Sequence, residues 1–76
     1  MSKAYVLINV GSGLEDKVLE EIKKTQGVKE VYVSYGVYDL VVKVAADSAE
    51  EMKEIVTRRL RNVNGVSSTL TLTVIE

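Results

Sequence analysis

The sequence contains no cysteine and no histidine. Their absence excludes disulfides, thiol nucleophiles, imidazole bases and the zinc sites that these two residues build. Phe and Trp are also missing, so the aromatic side chains are four tyrosines. No apolar stretch approaches the roughly 20 residues of a membrane-spanning helix. Met1 leads almost directly into a strand-like run rather than a signal peptide, and we therefore expect a cytoplasmic protein.

The charges of the chain are nearly balanced, with a formal net charge of −1. Because acidic and basic residues are interspersed, no field would attract nucleic acid or an anionic membrane. The 76 residues predict one domain, residues 1–76. A chain of this size buries only about 60% of the surface that its unfolded form exposes. Since disulfides and metals are excluded, self-association is the expected source of added stability.

Strand-like and helix-like patterns alternate along the chain in the order βαββαβ. Runs rich in β-branched and apolar residues, bounded by glycine or polar residues, predict strands at residues 3–10, 28–35, 37–45 and 66–75. The second and third strands form a hairpin that turns at Gly36. Between the strands, apolar residues recur at helical spacing and predict two helices, with the apolar stripes Leu14, Val18, Leu19 and Ile22, and Met52, Ile55, Val56 and Leu60.

Capping patterns and charges indicate where the helices begin and end. Three pairs have the spacing of a capping box: Ser12 with Glu15 for the first helix, and either Asp47 with Glu50 or Ser48 with Glu51 for the second. Two glycines, Gly27 and Gly65, fit the position just after a helix. The basic residues that precede them suit the negative end of the helix dipole: Lys23 and Lys24 before Gly27, and Arg58, Arg59 and Arg61 before Gly65. Two pairs have the spacing of helical ion pairs: Glu20 with Lys24, and Glu54 with Arg58.

The second half of the chain repeats the first at a fixed offset. The matched positions are Leu14 with Met52, Val18 with Val56, Ile22 with Leu60, Gly27 with Gly65, and Val28 with Val66. Right-handed crossovers then place the strands in the order fourth, first, third, second, with both helices on one face. The predicted fold is α+β: a ferredoxin-like βαββαβ sandwich with a four-stranded antiparallel sheet.

Strand alternation divides the sheet into two faces. The set expected to face the helices is Val6, Ile8, Val10, Val31, Val33, Leu40, Val42, Val44, Leu70, Leu72 and Val74. The outer set contains Tyr5, Leu7, Tyr32, Val41 and Ile75 among Asn9, Lys43, Thr69, Thr71 and Thr73. Because this outer face is apolar enough to bind a second copy, we predict a face-to-face dimer with the pairing of a dimeric α/β barrel. The alternative is a four-stranded sheet whose outer face remains partly exposed to water.

The turn Tyr35-Gly36-Val37-Tyr38-Asp39 delivers a carboxylate to the start of an apolar strand. An unpaired charge in that position is costly. Asp39 is therefore either a turn residue that accepts amide hydrogens near Gly36, or the counter-charge of a ligand amine. Spacing alone favours the turn.

Other polar residues have a ligand interpretation and a plain structural one. Tyr35 and Tyr38 could wall a small pocket, although tyrosines in strands often only pack. Hydroxyls along the last strand, at Ser67, Ser68, Thr69, Thr71 and Thr73, suit a polar ligand, although Thr is also a good strand residue. Gly11-Ser12-Gly13 could hold an anion, but it lacks the lysine of a P-loop, and helix entry explains it.

Catalysis has little support in this sequence. The hydroxyls lack a histidine to activate them, and most carboxylates have positions on helix surfaces. A lysine base remains possible, but no acid-base pair is assembled. We therefore expect a non-enzymatic protein without a cofactor or a metal site.

Three segments closely resemble the ligand-binding domain of Lrp/AsnC transcription regulators, the RAM domain (regulation of amino acid metabolism). They are Gly27-Val28-Lys29-Glu30-Val31, Gly36-Val37-Tyr38-Asp39-Leu40, and Gly65-Val66-Ser67-Ser68-Thr69-Leu70-Thr71. The resemblance covers the whole chain. It implies a module that binds amino acids as effectors and forms dimers that close into rings, with effector sites between the dimers.

The resemblance also assigns ligand-binding roles. It places them on Gly36, Tyr38 and Asp39 of the turn, and on Ser67, Ser68, Thr69 and Thr71 of the last strand. We add Tyr35 because it lies beside the turn. An α-amino acid would offer an ammonium to Asp39 and a carboxylate to hydroxyls and backbone amides.

Family regulators carry an N-terminal helix-turn-helix, whereas here a strand begins almost at Met1. We expect a stand-alone module, or a piece of a longer chain, that does not bind DNA and acts through full-length Lrp/AsnC partners. One alternative is a purely structural oligomerisation module, and another is an amino-acid sensor of the ACT type. Acylphosphatase and monooxygenase activities are disfavoured, because the loop after the first strand has no arginine and the chain has no histidine.

Overall fold

The computed structural model describes residues 2–74, and its elements follow the predicted order. The strands are β1 (Ser2–Val10), β2 (Val28–Val33), β3 (Leu40–Ala46) and β4 (Val66–Val74); the helices are α1 (Glu15–Lys23) and α2 (Ala49–Glu54), and α2 continues into a π-helical segment (Ile55–Leu60). Ile75, which we assigned to the outer face and to the last strand, lies outside the described residues. No helix within residues 2–74 is long and apolar enough to cross a membrane.

The strands form one sheet in the order β2-β3-β1-β4, and all neighbouring strands are antiparallel. This order is the one predicted from the two crossovers. Alternate residues of the central strands β1 and β3, such as Val6 and Val42, pack with buried residues of both helices, such as Ile22 and Leu60. Because alternate strand residues share one face, both helices cover the same side of the sheet. We call the other side the open face.

The alternation of β4 differs from our prediction. Its threonines Thr69, Thr71 and Thr73 pair with Ile8, Val6 and Ala4, which are buried against the helices. Its apolar residues Leu70, Leu72 and Val74 pair with Leu7, Tyr5 and Lys3 on the open face, where they are 44%, 49% and 39% exposed. The prediction that these three residues belong to the core was therefore wrong, as was the assignment of the threonines to the outer face.

A bulge at the start of β4 explains this error. Val66 pairs with Val10 and Ser68 pairs with Asn9, so Ser67 is an extra residue opposite a continuous β1. One extra residue reverses the alternation of every following side chain. Counting from Val66 without the bulge therefore places β4 on the wrong face.

Val33 is the other core residue that was wrongly predicted, since it is 61% exposed. It pairs with the buried Leu40, but it is the last residue of β2, an edge strand with one neighbour. Val31 of the same strand is half-buried and packs against the core. Burial therefore stops before the end of β2.

The start of α2 confirms one N-cap prediction, and the start of α1 corrects another. The Ser48 hydroxyl accepts a hydrogen bond from the Glu51 amide at 3.1 Å, so the second of the two alternatives for α2 is correct. Helix α1 begins at Glu15 with Leu14 as its N-cap and no side-chain cap, and the Ser12 capping box is absent.

The prediction that Gly27 and Gly65 follow directly after the helices was also wrong. Gly27 lies three residues beyond Lys24, the C-cap of α1. Gly27 and Gly65 directly precede β2 and β4 and have φ of +99° and +109°. They therefore serve strand entry rather than helix termination.

The π-helical segment has no counterpart in our prediction, although the predicted apolar stripe of Met52, Ile55, Val56 and Leu60 is buried. A π-helix shifts surface neighbours towards a spacing of five residues. Glu54 accordingly pairs with Arg59 at 3.8 Å, whereas the predicted partner was Arg58. This is the only ion pair within residues 2–74, so the predicted Glu20–Lys24 pair is also absent there.

Candidate functional site

Asp39 is anchored to β1 by its side chain and its backbone. One carboxylate oxygen, Oδ2, accepts the amide hydrogen of Val10 at 2.9 Å. The Asp39 amide donates to the Ile8 carbonyl at 3.0 Å, and the Asp39 carbonyl accepts from the Ser34 amide at 2.8 Å. Asp39 does accept an amide hydrogen, as the structural alternative predicted, but the donor belongs to β1 rather than to the Gly36 turn.

The position of Asp39 explains why a carboxylate is tolerated beside an apolar strand. The loop of residues 34–39 joins β2 to β3, and Asp39 is its last residue, half-buried beside Leu40. Its bond to Val10 satisfies an amide at the point where the β1–β4 register shifts. Within residues 2–74, the Val10 bond is the only hydrogen bond to this carboxylate. The other carboxylate oxygen has no hydrogen-bond partner among these residues.

The first residues of β4 form a second polar group at the same end of the sheet. The Ser68 hydroxyl accepts from Asn9 Nδ2 at 3.3 Å, and the Thr69 hydroxyl accepts from Arg61 Nε at 3.3 Å. An open depression of about 330 Å³ lies here, lined by Arg61, Val66, Ser67, Ser68 and Thr69. It combines hydroxyls with one guanidinium, which suits a carboxylate.

Within one chain, β1 separates Asp39 from these hydroxyls. Asp39 precedes β3 and Ser68 begins β4, and the two strands flank β1 on opposite sides. Two strand spacings amount to roughly 10 Å. The backbone segments that carry these two polar groups therefore lie on opposite sides of β1.

The remaining predicted residues are more scattered. Thr71 pairs with Val6 on the helix side, where it adjoins Met52 and Val56, and it is separated from Ser68. Tyr35 is 99% exposed and so walls no pocket within this chain, and Tyr38 is half-buried. Among residues 2–74, neither tyrosine hydroxyl has a hydrogen-bond partner.

Comparison with known proteins identifies the family. The model of the Lrp/AsnC ligand binding domain matches residues 3–76. The chain belongs to this family.

The curated relatives of this Lrp/AsnC domain include longer proteins. An uncharacterised HTH-type transcriptional regulator of Pyrococcus furiosus is 44% identical over 72 residues, which cover 91% of this chain and 48% of the regulator. The chain thus spans about half the length of that relative. A homocitrate synthase of Sulfurisphaera tokodaii is 42% identical over 59 residues, which cover 78% of this chain and 13% of the enzyme.

Solved structures share the fold over the whole domain. A protein of similar length from Thermus thermophilus superposes with a TM-score of 0.93 at 34% identity, covering 100% of this chain and 95% of that one. A transcriptional regulator from Neisseria meningitidis, crystallised as an L-Met complex, has a TM-score of 0.89 at 13% identity, covering 99% of this chain and 50% of that one. At that identity the likeness shows the fold alone.

The open face of the Lrp/AsnC domain is more apolar than the sequence predicted. Its apolar side chains, all partly or fully exposed, are Tyr5, Leu7, Tyr32, Val41, Leu70, Leu72 and Val74. The hydroxyl of Tyr32 donates a hydrogen bond to the carboxylate of Glu30. This bond raises the pKa of Tyr32, and partial desolvation and the negative charge of Glu30 raise it further.

Asn9 and Arg61 were not among the residues predicted for the candidate site. Asn9 was assigned to the outer face only, and Arg61 was attributed to helix-end electrostatics. In the structure both hold hydroxyls of β4. A polar amide near the end of the otherwise apolar β1 was the signal that marked Asn9. No sequence signal separates Arg61 from its neighbours Arg58 and Arg59.

Proposed function

We propose that this chain is a non-enzymatic effector-binding and oligomerisation domain that binds a free amino acid. It modulates transcription in the cytoplasm through full-length Lrp/AsnC regulators, without binding DNA itself. The observation that carries the proposal is the Asp39 carboxylate, which is fixed by one hydrogen bond to Val10 and keeps an oxygen for an ammonium group.

The two halves of the binding site come from different subunits. Asp39, with Tyr35, Gly36 and Tyr38 of its loop, binds the ammonium end of the effector. The hydroxyls of Ser67, Ser68 and Thr69 line the carboxylate end in a neighbouring chain, whereas Thr71 lies apart from them on the helix side. The placement of Asp39 and the β4 hydroxyls of one chain on opposite sides of β1 supports this division.

Assembly follows from the open face. Two copies pack their open faces together, because removing a contiguous apolar surface of this kind from water lowers the free energy. Dimers then close into a ring, with an effector at each seam between dimers. An effector that binds only at the seam stabilises the ring by its own binding free energy, so binding and assembly are linked.

The names of similar proteins support the regulatory role and the ligand class. The Pyrococcus furiosus relative is named as a transcriptional regulator. The Neisseria meningitidis regulator was crystallised with L-Met. These names favour an amino-acid effector over other small molecules, and they favour action on transcription through a longer partner.

Titration with each of the twenty amino acids tests the proposal, with melting temperature and particle mass as readouts. At least one amino acid is expected to raise both for the wild-type protein. Asp39→Asn should lose both responses while it keeps the fold, because the Asn oxygen can still accept the Val10 amide hydrogen. Asp16→Asn, an exposed carboxylate on α1, is the matched control. Unchanged melting temperature and mass with all twenty amino acids would refute the proposal.

A second candidate function is control of an enzyme by the same effector site. The partial match to a homocitrate synthase favours it, because there the domain accompanies a catalytic chain. A third candidate is a purely structural oligomerisation module. It predicts that amino acids change the assembly of neither the wild-type protein nor Asp39→Asn. Affinity capture of tagged regulator and synthase chains separates the first two candidates.

A further inference from the structure

A polar groove lies in the helix layer, apart from Asp39 and the open face. It has a volume of about 480 Å³ and runs between α1, the π-helical segment and the loops that follow them. Its lining residues are Lys17, Glu21, Thr25, Gln26, Arg59, Asn62, Val63 and Asn64. All of these residues come from the two repeats of one chain.

The groove is formed by matching positions of the two βαβ repeats. The offset that relates Gly27 to Gly65 also relates Glu21 to Arg59 and Gln26 to Asn64. The two repeats thus contribute equivalent residues to one site, with a carboxylate from the first and a guanidinium from the second. This duplication places opposite charges on the two sides of the groove.

The charges of the groove do not neutralise one another. Within residues 2–74 the only ion pair is Arg59 with Glu54, at 3.8 Å. Lys17 and Glu21 are exposed and unpaired there, although their spacing of four residues would allow a bond. The groove therefore offers separate cationic and anionic groups, which is the pattern that a small zwitterion requires.

The guanidinium of Arg59 is held in place before any ligand binds. Its Nη1 donates to the carbonyl of Gln26 at 3.2 Å, and its Nη2 faces Glu54. A guanidinium has five N–H donors, so several remain for an oxygen ligand. An arginine already fixed in this way loses little side-chain entropy when a carboxylate binds.

We propose that this groove binds a zwitterionic amino acid with an amide side chain, at a site separate from the Asp39 seam. Arg59 and Lys17 bind the carboxylate, Glu21 binds the ammonium, and Asn62 and Asn64 pair with the side-chain amide. Glu21 disfavours a dianion at the same place. Because one chain supplies every contact, binding here is independent of the oligomeric state.

The test uses L-glutamine as the probe, with affinity measured by calorimetry and the site located from amide chemical shifts in NMR spectra. We expect shifts at residues of the groove in the wild-type protein and in Asp39→Asn alike. Glu21→Gln and Lys17→Gln should each weaken binding about tenfold, the loss of one charge-assisted hydrogen bond. Glu20→Gln, on the same helix but outside the groove, should have no effect.

Two analogues test the need for both charges. Glutaramic acid lacks the ammonium and 4-aminobutanamide lacks the carboxylate, and each should bind about tenfold more weakly than L-glutamine. The proposal is overturned if Glu21→Gln leaves the affinity for L-glutamine unchanged, or if Asp39→Asn abolishes all binding. Absence of shifts in the groove would overturn it as well. Circular dichroism melts confirm that each variant is folded.

Discussion

The carboxylate of Asp39 accepts the amide hydrogen of Val10 at 2.9 Å, which ties the loop before β3 to the end of β1. This bond connects residues that are 29 positions apart in the sequence. It fixes the carboxylate at the same end of the sheet as the first hydroxyls of β4. The other oxygen of this carboxylate has no hydrogen-bond partner within residues 2–74.

Removing the Asp39 side chain should destabilise the fold. Asp39→Ala leaves the half-buried Val10 amide without its acceptor, at a cost of about 1–2 kcal/mol. Asp39→Asn should cost less than about 1 kcal/mol, since the amide oxygen replaces the carboxylate oxygen. Urea denaturation followed by circular dichroism gives both values. Equal losses of unfolding free energy in the two variants would show that the charge of Asp39, rather than its hydrogen bond to Val10, stabilises the fold.

Substitution of Gly27 should be far more costly than substitution of Gly13. A Cβ at Gly27 would lie 2.4 Å from Ile55 Cδ1, and φ there is +99°. We expect Gly27→Ala to lose about 3 kcal/mol, from overpacking together with the left-handed backbone. At Gly13 φ is +82° and nothing lies within 4 Å, so Gly13→Ala should lose only about 1 kcal/mol.

A double variant separates the two contributions at Gly27. Ile55→Val removes the Cδ1 atom that a new Cβ would meet. In that background Gly27→Ala should cost clearly less and approach the cost of Gly13→Ala, because the backbone strain remains together with only a milder contact to Ile55 Cγ1 at 3.3 Å. Thermal melts of the four variants measure the coupling. A cost that stays near the roughly 3 kcal/mol of the single variant would locate the strain elsewhere.

Charges placed on the open face should prevent self-association. Leu70→Lys with Leu72→Lys introduces two ammonium groups into the surface that we propose to be buried between copies. We expect the sedimentation coefficient to fall to that of a monomer. Val37→Lys is the control, since Val37 is 83% exposed on the 34–39 loop. If the double variant sediments like the wild type, the open face is not the interface.

Tyr32 should titrate at higher pH than an ordinary tyrosine. Its hydrogen bond to Glu30 favours the protonated phenol and raises its pKa. Because the folded state favours the protonated phenol, the contribution of Tyr32 to folding stability is fully present below the unfolded pKa of about 10. This contribution is lost as the pH rises through the higher pKa of the folded state. Glu30→Gln should move the tyrosinate absorbance transition to lower pH, and Tyr32→Phe identifies that transition. An unchanged midpoint in Glu30→Gln would contradict the assignment.

The sequence predicted the strand order and the helix faces because they depend on short-range patterns. Val18, Ile22, Val56 and Leu60 recur at helical spacing, and all four are buried. The strand order follows from the two crossovers, which allow few alternatives. These features need no knowledge of a distant residue.

The face of β4 and the donor to Asp39 could not be predicted, since both depend on contacts between distant segments. Ser67 looks like any strand residue, and only its pairing with β1 reveals the bulge that turns Leu72 outward. Likewise, Val10 and Asp39 are brought together by the register of β1 and β3. The π-helical segment was missed because its apolar stripe also fits an ordinary helix.

The most direct test of the proposed function is native mass spectrometry of wild-type protein and Asp39→Asn with each amino acid in turn. We predict that at least one amino acid binds the wild-type protein at one molecule per subunit seam and increases the population of the ring, and that Asp39→Asn shows neither effect. Equal binding and equal ring populations in both proteins would contradict the assignment of Asp39 as the ammonium-binding residue.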